Sequence, residues 1–157
     1  MAQTFLNLAQ GVTGTLPNAN FSGGKIGQLV TSNINGSGIN TSNTSYTSTG
    51  DSLAITPTAT SSKILILFTG LEIDNKANGT IVNATIYNGS TNLASSGNFL
   101  YQYDTGRLAY SGTIHHIHSP NSTSAQTYTL FIKCNSNSVS FLEDTADATF
   151  TLMEILA

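Results

Sequence analysis

The three histidines of this chain lie within four consecutive residues of one predicted strand. Residues 112–118 read Gly-Thr-Ile-His-His-Ile-His, and Pro120 follows shortly after. Because successive side chains of a strand alternate between its two faces, His116 and His118 share one face and His115 lies on the other. Two imidazoles at this spacing can meet one metal ion, and three copies about a three-fold axis would supply six nitrogen ligands, which suits an octahedral transition metal. The alternative is that these histidines face water or form hydrogen bonds within a polar strand.

A second group of residues has the chemistry of a binding patch. Phe99, Tyr101 and Tyr103 alternate along an extended segment, and Arg107 and Tyr110 follow nearby. Aromatic rings beside an arginine are typical of sites that contact a partner. Tyr101, Tyr103 and Arg107 are therefore candidates for contact with a glycan or a partner protein. The same rings could instead form the core face of another strand.

The acidic residues and the single cysteine give little support for catalysis. Glu143, Asp144 and Asp147 fall in a predicted turn between two strands, where carboxylates normally cap backbone amides or stay solvated. Cys134 lies inside a strand-like run, which favours a buried, unreactive thiol. The sequence contains no Gly-x-Ser-x-Gly, phosphate-binding Gly-rich or Cys-x-x-Cys motif. We therefore expect no enzymatic activity and no cofactor.

The composition is that of a sheet protein with a neutral exterior. Ser, Thr, Asn and Gly make up 72 of the 157 residues, and only 8% are charged, against about 25% in ordinary domains. The apolar residues occur in short runs separated by turn-forming clusters. A net charge of −3 without a basic stripe argues against nucleic-acid binding. Since no apolar stretch approaches the length of a membrane span and the start does not resemble a signal peptide, we expect cytosolic synthesis and no membrane insertion.

From residue 51 onwards, predicted strands follow one another with short turns between them. Residues 63–69 form a continuous apolar run, typical of a strand covered on both faces. Residues 80–87 and 91–94 are predicted to form a hairpin around Asn88-Gly89. Further strands are predicted at residues 108–117, 126–133, 138–142 and 148–155. Helical spacing of apolar residues is not sustained anywhere, so the pattern predicts an all-β, antiparallel sandwich or barrel.

Residues 1–50 differ from the rest of the chain in their apolar content and its spacing. They are poor in apolar residues and show no sustained period of 2 or 3.6. The apolar residues that do occur are spaced like anchors on an extended arm that lies along another surface: Phe5, Leu6, Leu8, Val12, Leu16, Phe21, Ile26, Leu29 and Val30. We predict that residues 1–50 form an extended N-terminal arm for docking or exchange between subunits, and that residues 51–157 form the β-sandwich domain. A disordered tail is the alternative.

Residues 12–20 read Val-Thr-Gly-Thr-Leu-Pro-Asn-Ala-Asn. They resemble a connector found repeatedly in tail-fibre proteins of tailed phages. That connector normally continues into Gly-Gly-Thr-Gly, whereas Phe21-Ser22 intervene here before Gly23-Gly24-Lys25. Residues 53–57, 62–65, 112–120 and 125–128 together are similar to a β-domain of fibre and virion proteins of marine and cyanobacterial phages.

The resemblance implies a jelly-roll-like sandwich, usually trimeric, on the surface of a virion. The main expectation is a trimeric capsid decoration protein whose arm holds the major capsid protein, because the chain is short for a complete fibre. The alternative is a tail-fibre or receptor-binding tip that joins tail proteins and contacts a host glycan or protein. An uncharged surface suits dense packing of many copies, since charge repulsion would oppose assembly. A carbohydrate-active enzyme is the remote alternative, and it would need a pair of carboxylates in a cleft.

Overall fold

The computed structural model describes six stretches of the chain: residues 24–35, 38–75, 78–94, 100–103, 108–142 and 147–156. Within them, strands follow one another in this order: β1 (Lys25–Asn35), β2 (Ile39–Thr41), β3 (Thr47–Ile55), β4 (Lys63–Asn75), β5 (Ile81–Asn88), β6 (Thr91–Asn92), β7 (Leu100–Tyr103), β8 (Leu108–His118), β9 (Gln126–Cys134), β10 (Val139–Phe141) and β11 (Asp147–Leu156). The described residues contain no helix long and apolar enough to cross a membrane.

The strands form two antiparallel sheets. In the first sheet, the strand order is β1, β11, β4 and β8. Beside the second half of β4, β10 takes the place of β11, and β2 pairs with β10 in the place of β1. In the second sheet, β3 pairs with β9 and β9 with β5, and β6 and β7 lie on the far side of β5. Among the described residues, each sheet thus has four strand positions, and the chain crosses repeatedly from one sheet to the other. This is the connectivity of a jelly roll, and it confirms the predicted all-β, jelly-roll-like sandwich.

The hydrophobic core lies between the two sheets. Apolar side chains alternate along the strands, so that Ile64, Ile66 and Phe68 of β4 are fully buried while Leu65 and Leu67 are only partly buried. The rings of Phe68 and Phe150 pack with centroids 4.6 Å apart. Residues 63–69 are therefore not covered on both faces as predicted. One face is the core, and the other leaves apolar side chains on the outside of the first sheet.

The sandwich extends further towards the N terminus than the predicted boundary. Lys25–Asn35 pairs with β11 along its length, and the boundary placed after Gly50 falls inside Thr47–Ile55. Ile26, Leu29 and Val30, which we expected in the arm, therefore belong to β1. The sequence hides this strand because it lies at the edge of a sheet, where few positions need an apolar residue. Residues 1–23 lie outside the described part of the chain, so the docking role of Phe5, Leu6, Leu8, Val12, Leu16 and Phe21 stays a prediction.

Candidate functional site

The histidine strand, β8, is one of the two outer strands of the first sheet. β8 pairs with β4 over residues 108–118, and its side chains alternate as predicted. Ile114 is buried in the core and His116 and His118 are half-buried on the same side. His115 and Ile117 are exposed on the outer side.

His118 joins the two sheets through Tyr128 of β9. Its Nδ1 atom lies 2.9 Å from the Tyr128 hydroxyl, and the two rings meet edge to face with centroids 5.7 Å apart. Tyr128 is fully buried, and burial raises the pKa of its hydroxyl. Burial and, to a smaller extent, the charge of His116 lower the pKa of His118. The arrangement is a neutral hydrogen-bonded pair inside the sandwich.

The predicted metal site stays a hypothesis about an oligomer. The Tyr128 hydroxyl is hydrogen-bonded to Nδ1 of His118, so Nε2 is the ring nitrogen that would bind a metal ion. Burial, followed by the charge of His115, lowers the pKa of His116, and the neutral imidazole is the form that ligates metal. Within one chain, the described residues bring together no group of three or more His, Cys, Asp or Glu side chains that could hold a metal ion.

The buried histidines predict acid sensitivity. His116 and His118 bind protons less readily in the folded state than at their ordinary pKa of 6.5. The unfolded state therefore takes up more protons as the pH falls through 6.5, and stability is lost in that window. We expect a lower Tm at pH 5.5 than at pH 7.5. His118→Gln should weaken this dependence and, by losing the Tyr128 contact, cost about 1 kcal/mol at pH 7.5.

Thermal unfolding followed by circular dichroism at the two pH values measures this effect. His115→Gln is the matched control, because His115 is exposed on the opposite side of the same strand. The control should retain most of the pH dependence of the wild type, because burial is the larger cause of the lowered pKa of both His116 and His118. Equal Tm values for the wild type at pH 7.5 and 5.5 would contradict the prediction.

The predicted aromatic patch is only partly placed by the structure. Tyr101 and Tyr103 belong to β7, where their backbones pair with Asn83 and Ile81 of β5. Arg107 and Phe99 lie outside the described residues. The proposed contact of Tyr101, Tyr103 and Arg107 with a glycan or protein stays a prediction.

A different aromatic cluster lies on the outer face of the second sheet. The rings of Tyr87 and Phe131 stack with centroids 4.0 Å apart, and the ring of Tyr46 meets Tyr87 edge-on at 6.3 Å. The Lys133 ammonium lies 4.6 Å from the centroid of the Tyr46 ring, a cation–π contact. Burial and, to a smaller extent, Tyr87 raise the pKa of Tyr46 to about 12, so its hydroxyl is neutral at physiological pH.

Sequence reasoning missed this aromatic cluster because its members come from distant segments. Tyr46 precedes β3, whereas Tyr87 is on β5 and Phe131 on β9. Phe131 pairs with Thr85, two residues from Tyr87, so the two rings are diagonal neighbours on adjacent strands. The sequence does contain one signal, because Tyr87 and Phe131 alternate with core residues along their strands. It indicates an outward face but does not reveal which strands are neighbours.

A buried carboxylate organises one end of the sandwich. Glu154 of β11 is fully buried, and its Oε1 accepts hydrogen bonds from the backbone N–H of Thr58 at 2.7 Å and from the Thr58 hydroxyl at 2.8 Å. Its Oε2 accepts a 2.7 Å bond from Nε2 of Gln28 in β1. Gln28 also donates to the Thr56 carbonyl. The carboxylate thus ties β1 and the β3–β4 connection to β11.

Hydrogen bonds keep Glu154 ionised despite its burial. Burial alone would raise its pKa, but the hydrogen bonds from Gln28 and Thr58, together with the nearby Ser62 hydroxyl, outweigh this effect and lower the pKa to about 2. Gly27 leaves room for the carboxylate, since a Cβ at that position would lie 2.9 Å from Oε2 of Glu154. An ionised group held by several donors is a structural anchor in this fold. Nothing in the predicted strand at residues 148–155 distinguished Glu154 from an outward-facing residue.

The remaining predicted residues fit structural roles where they are described. Cys134 is a free, buried thiol, and burial raises its pKa, as expected for an unreactive cysteine. Asp147 is exposed at the start of β11. Glu143 and Asp144 lie outside the described residues.

No protein-family model matches the chain, and no curated protein sequence matches it either. Solved structures with a similar fold include the VP2 subviral particle of infectious bursal disease virus, with a TM-score of 0.49 and 12% identity over 83% of this chain and 38% of that chain. The Gx strain of the same virus gives a TM-score of 0.48, with 13% identity over 84% and 38% of the two chains. The chain thus spans less than two fifths of these proteins. Values this low assign neither a family nor a function to it.

Proposed function

We propose that this chain is a non-enzymatic structural protein of a virion surface that works as a homo-oligomer. The observation that carries the proposal is the scarcity of surface charge: among the charged residues that the structure describes, only Lys63 and Asp147 are exposed. Ser, Thr and Asn occupy most other exposed positions of the jelly roll. A surface of this kind lets many identical copies pack closely without mutual repulsion. The resemblance of residues 12–20 to phage fibre connectors supports the same class.

Within this class, we propose a trimeric capsid decoration protein. Residues 1–23 would serve as the arm that binds the major capsid protein, and the sandwich that begins at Lys25 would form the exposed body. Many weak contacts repeated over a shell give strong attachment without a large contact per copy. The virion would be the location of the mature protein, after synthesis in the host cytoplasm.

The aromatic cluster of Tyr46, Tyr87 and Phe131 favours a second candidate, a receptor-binding tip on the tail. Aromatic rings on an outer sheet face, beside Lys133 and hydroxyl-bearing residues such as Thr129, offer stacking and hydrogen bonding to a sugar or a protein. The phage tail proteins would then be the neighbours in the particle. The host surface would be the partner of the aromatic cluster.

Labelling of intact particles with an antibody against the chain, viewed by negative-stain electron microscopy, tests both candidates. We expect label at many sites over the head. Label confined to the tail would overturn decoration and support the receptor-binding tip. Failure to find the chain in purified particles, by labelling and by mass spectrometry, would overturn the virion assignment itself.

A further inference from the structure

All three large hydrophobic side chains that are exposed in the described residues lie on the outer face of the first sheet. Ile26 and Leu29 of β1 are each 57% exposed, and Ile117 of β8 is 53% exposed. β1 and β8 are the outermost strands of this sheet, with β11 and β4 between them. The exposed residues thus mark both sides of one surface.

The strand register connects these residues into a continuous apolar row. Leu29 pairs with Met153, Met153 with Leu65, and Leu65 with Ile117. Directly paired residues share a face and touch across neighbouring strands. Ile26 and Ile155 pair with each other and extend the row on one side, and Leu67 extends it on the other. Ile155 and Leu67 are only partly buried. We call these seven residues the apolar face: Ile26, Leu29, Leu65, Leu67, Ile117, Met153 and Ile155.

The apolar face has the size of the core of an interface and not of a whole interface. Its seven side chains, each occupying about 4.8 Å by 7 Å of the sheet, cover about 240 Å². A standard interface buries about 800 Å² per partner, so the apolar face would supply roughly a third of one. The Ser, Thr and Asn residues around the apolar face would supply the polar rim that such interfaces have.

The chemistry of the apolar face selects its partner. Among the described residues, Lys63, which pairs with Ile155, is the Lys, Arg, Asp or Glu side chain next to the apolar face. The face therefore offers no set of cations for phosphates and no matching charge for a charged protein surface. A pleated sheet packs well against another sheet at about 10 Å. An apolar row is also complementary to itself. The best-fitting occupant is therefore the same face of a second copy.

We propose that the apolar face is buried against the apolar face of a second copy of this chain. A two-fold axis parallel to the strands would reverse the row, so that Leu29 of one copy meets Ile117 of the other and Met153 meets Leu65. This inference rests on the homo-oligomer of the proposed function and specifies one of its interfaces. Because the contact joins copies in pairs, it would link one trimer to the next on a shell. The wild-type protein would then contain an even number of copies.

The mass of the full-length protein in solution, measured by light scattering after size exclusion, tests the inference. The double variant Leu29→Glu/Ile117→Glu should have half the mass of the wild type, with an unchanged far-ultraviolet spectrum. The control Ala54→Glu/Thr123→Glu adds the same charge at exposed positions elsewhere, and it should keep the wild-type mass. A double variant with the wild-type mass, or a wild type with an odd number of copies, would overturn the inference. Either result leaves the location found by particle labelling unaffected.

Hydroxyl-radical footprinting of the unmodified protein gives a measurement that needs no variant. Oxidation of Leu29, Met153 and Ile117 should slow as the protein concentration rises through the range where pairs form. Protection that is independent of concentration would overturn the inference, because the apolar face would then be covered within one chain, for example by residues 1–23. Rapid oxidation at every concentration would overturn it as well.

Discussion

Replacing Glu154 by Gln is expected to lower the free energy of unfolding by about 2–4 kcal/mol, because the substitution removes a buried charge that three donors share. The side-chain amide of Gln would place an NH₂ group against Thr58 or Gln28, which are both donors. One buried donor would then lose its acceptor. For a chain of this length, the loss corresponds to a decrease in Tm of roughly 5–15 °C. Urea unfolding followed by circular dichroism measures it.

The same carboxylate predicts a second window of acid sensitivity. The pKa of Glu154 is about 2 in the folded protein, against an ordinary value of 4.5. Its stabilising effect is therefore fully present above pH 4.5 and is lost as the pH falls from 4.5 towards 2. The Glu154→Gln variant should lose less stability than the wild type over this range. The histidine window lies higher, below pH 6.5, so the two effects can be separated.

Asp147→Asn provides the control for Glu154, since it removes one negative charge from the exposed start of the same strand. Surface substitutions of this kind change stability by less than about 0.5 kcal/mol. If Glu154→Gln, like Asp147→Asn, lost less than about 0.5 kcal/mol, the carboxylate would not be the anchor of β1 and of the β3–β4 connection. If both variants lost stability equally, the effect would come from net charge and not from the hydrogen bonds.

Local sequence patterns predicted the strands of the second half of the fold well. Residues 126–133 and 148–155 correspond closely to β9 and β11, because alternating apolar residues and clear turn signals bound both strands. The same reasoning missed β1 and residues 47–51 of β3, and half of the positions in these two strands are Ser, Thr, Asn or Gly. These strands lie at sheet edges, where backbone pairing and a few inward residues such as Val30 and Ile55 suffice. Their sequences therefore resemble loops.

For the site residues as well, local geometry could be predicted and contacts between distant segments could not. Alternation along β8 correctly placed His116 and His118 on one face, since this depends only on local geometry. The partner of His118 could not be predicted, because Tyr128 lies on the other sheet. Glu154 is the strongest case, since its donors are about 100 residues or more away in sequence. Such contacts depend on the order of the strands in the jelly roll. Local sequence patterns do not give that order, since they predict only a sandwich or a barrel.

Gly70 explains why the predicted end of β4 was wrong. The apolar run suggested a strand ending at Thr69, but β4 continues to Asn75. A bulge between Thr69 and Leu71 interrupts the pairing with β8, and Gly70 there has a φ of +77°. Beyond it, β4 exchanges β11 for β10 as its neighbour. A glycine inside a strand can thus mark a bulge and not an end.

Replacing Gly70 by Ala is expected to lower the free energy of unfolding by about 2–5 kcal/mol. A positive φ costs a residue with a Cβ roughly 1–2 kcal/mol. In addition, the new Cβ would lie 2.8 Å from the carbonyl oxygen of Asp147, a backbone atom that cannot rotate away. Relieving that overlap should cost about as much as other overpacked substitutions, typically 1–3 kcal/mol. The measurement is chemical unfolding of the purified variant.

Gly79→Ala separates these two contributions, because Gly79 has nearly the same φ of +78° but no atom within 4 Å of the added Cβ. It should lose only the 1–2 kcal/mol of backbone strain. The difference between the two variants then measures the close approach of β4 to the start of β11. Equal losses would show that backbone conformation alone requires glycine at position 70. A larger loss for Gly70→Ala would show that the glycine is needed for the start of β11 to lie close to β4. This is the point at which the neighbour of β4 changes from β11 to β10.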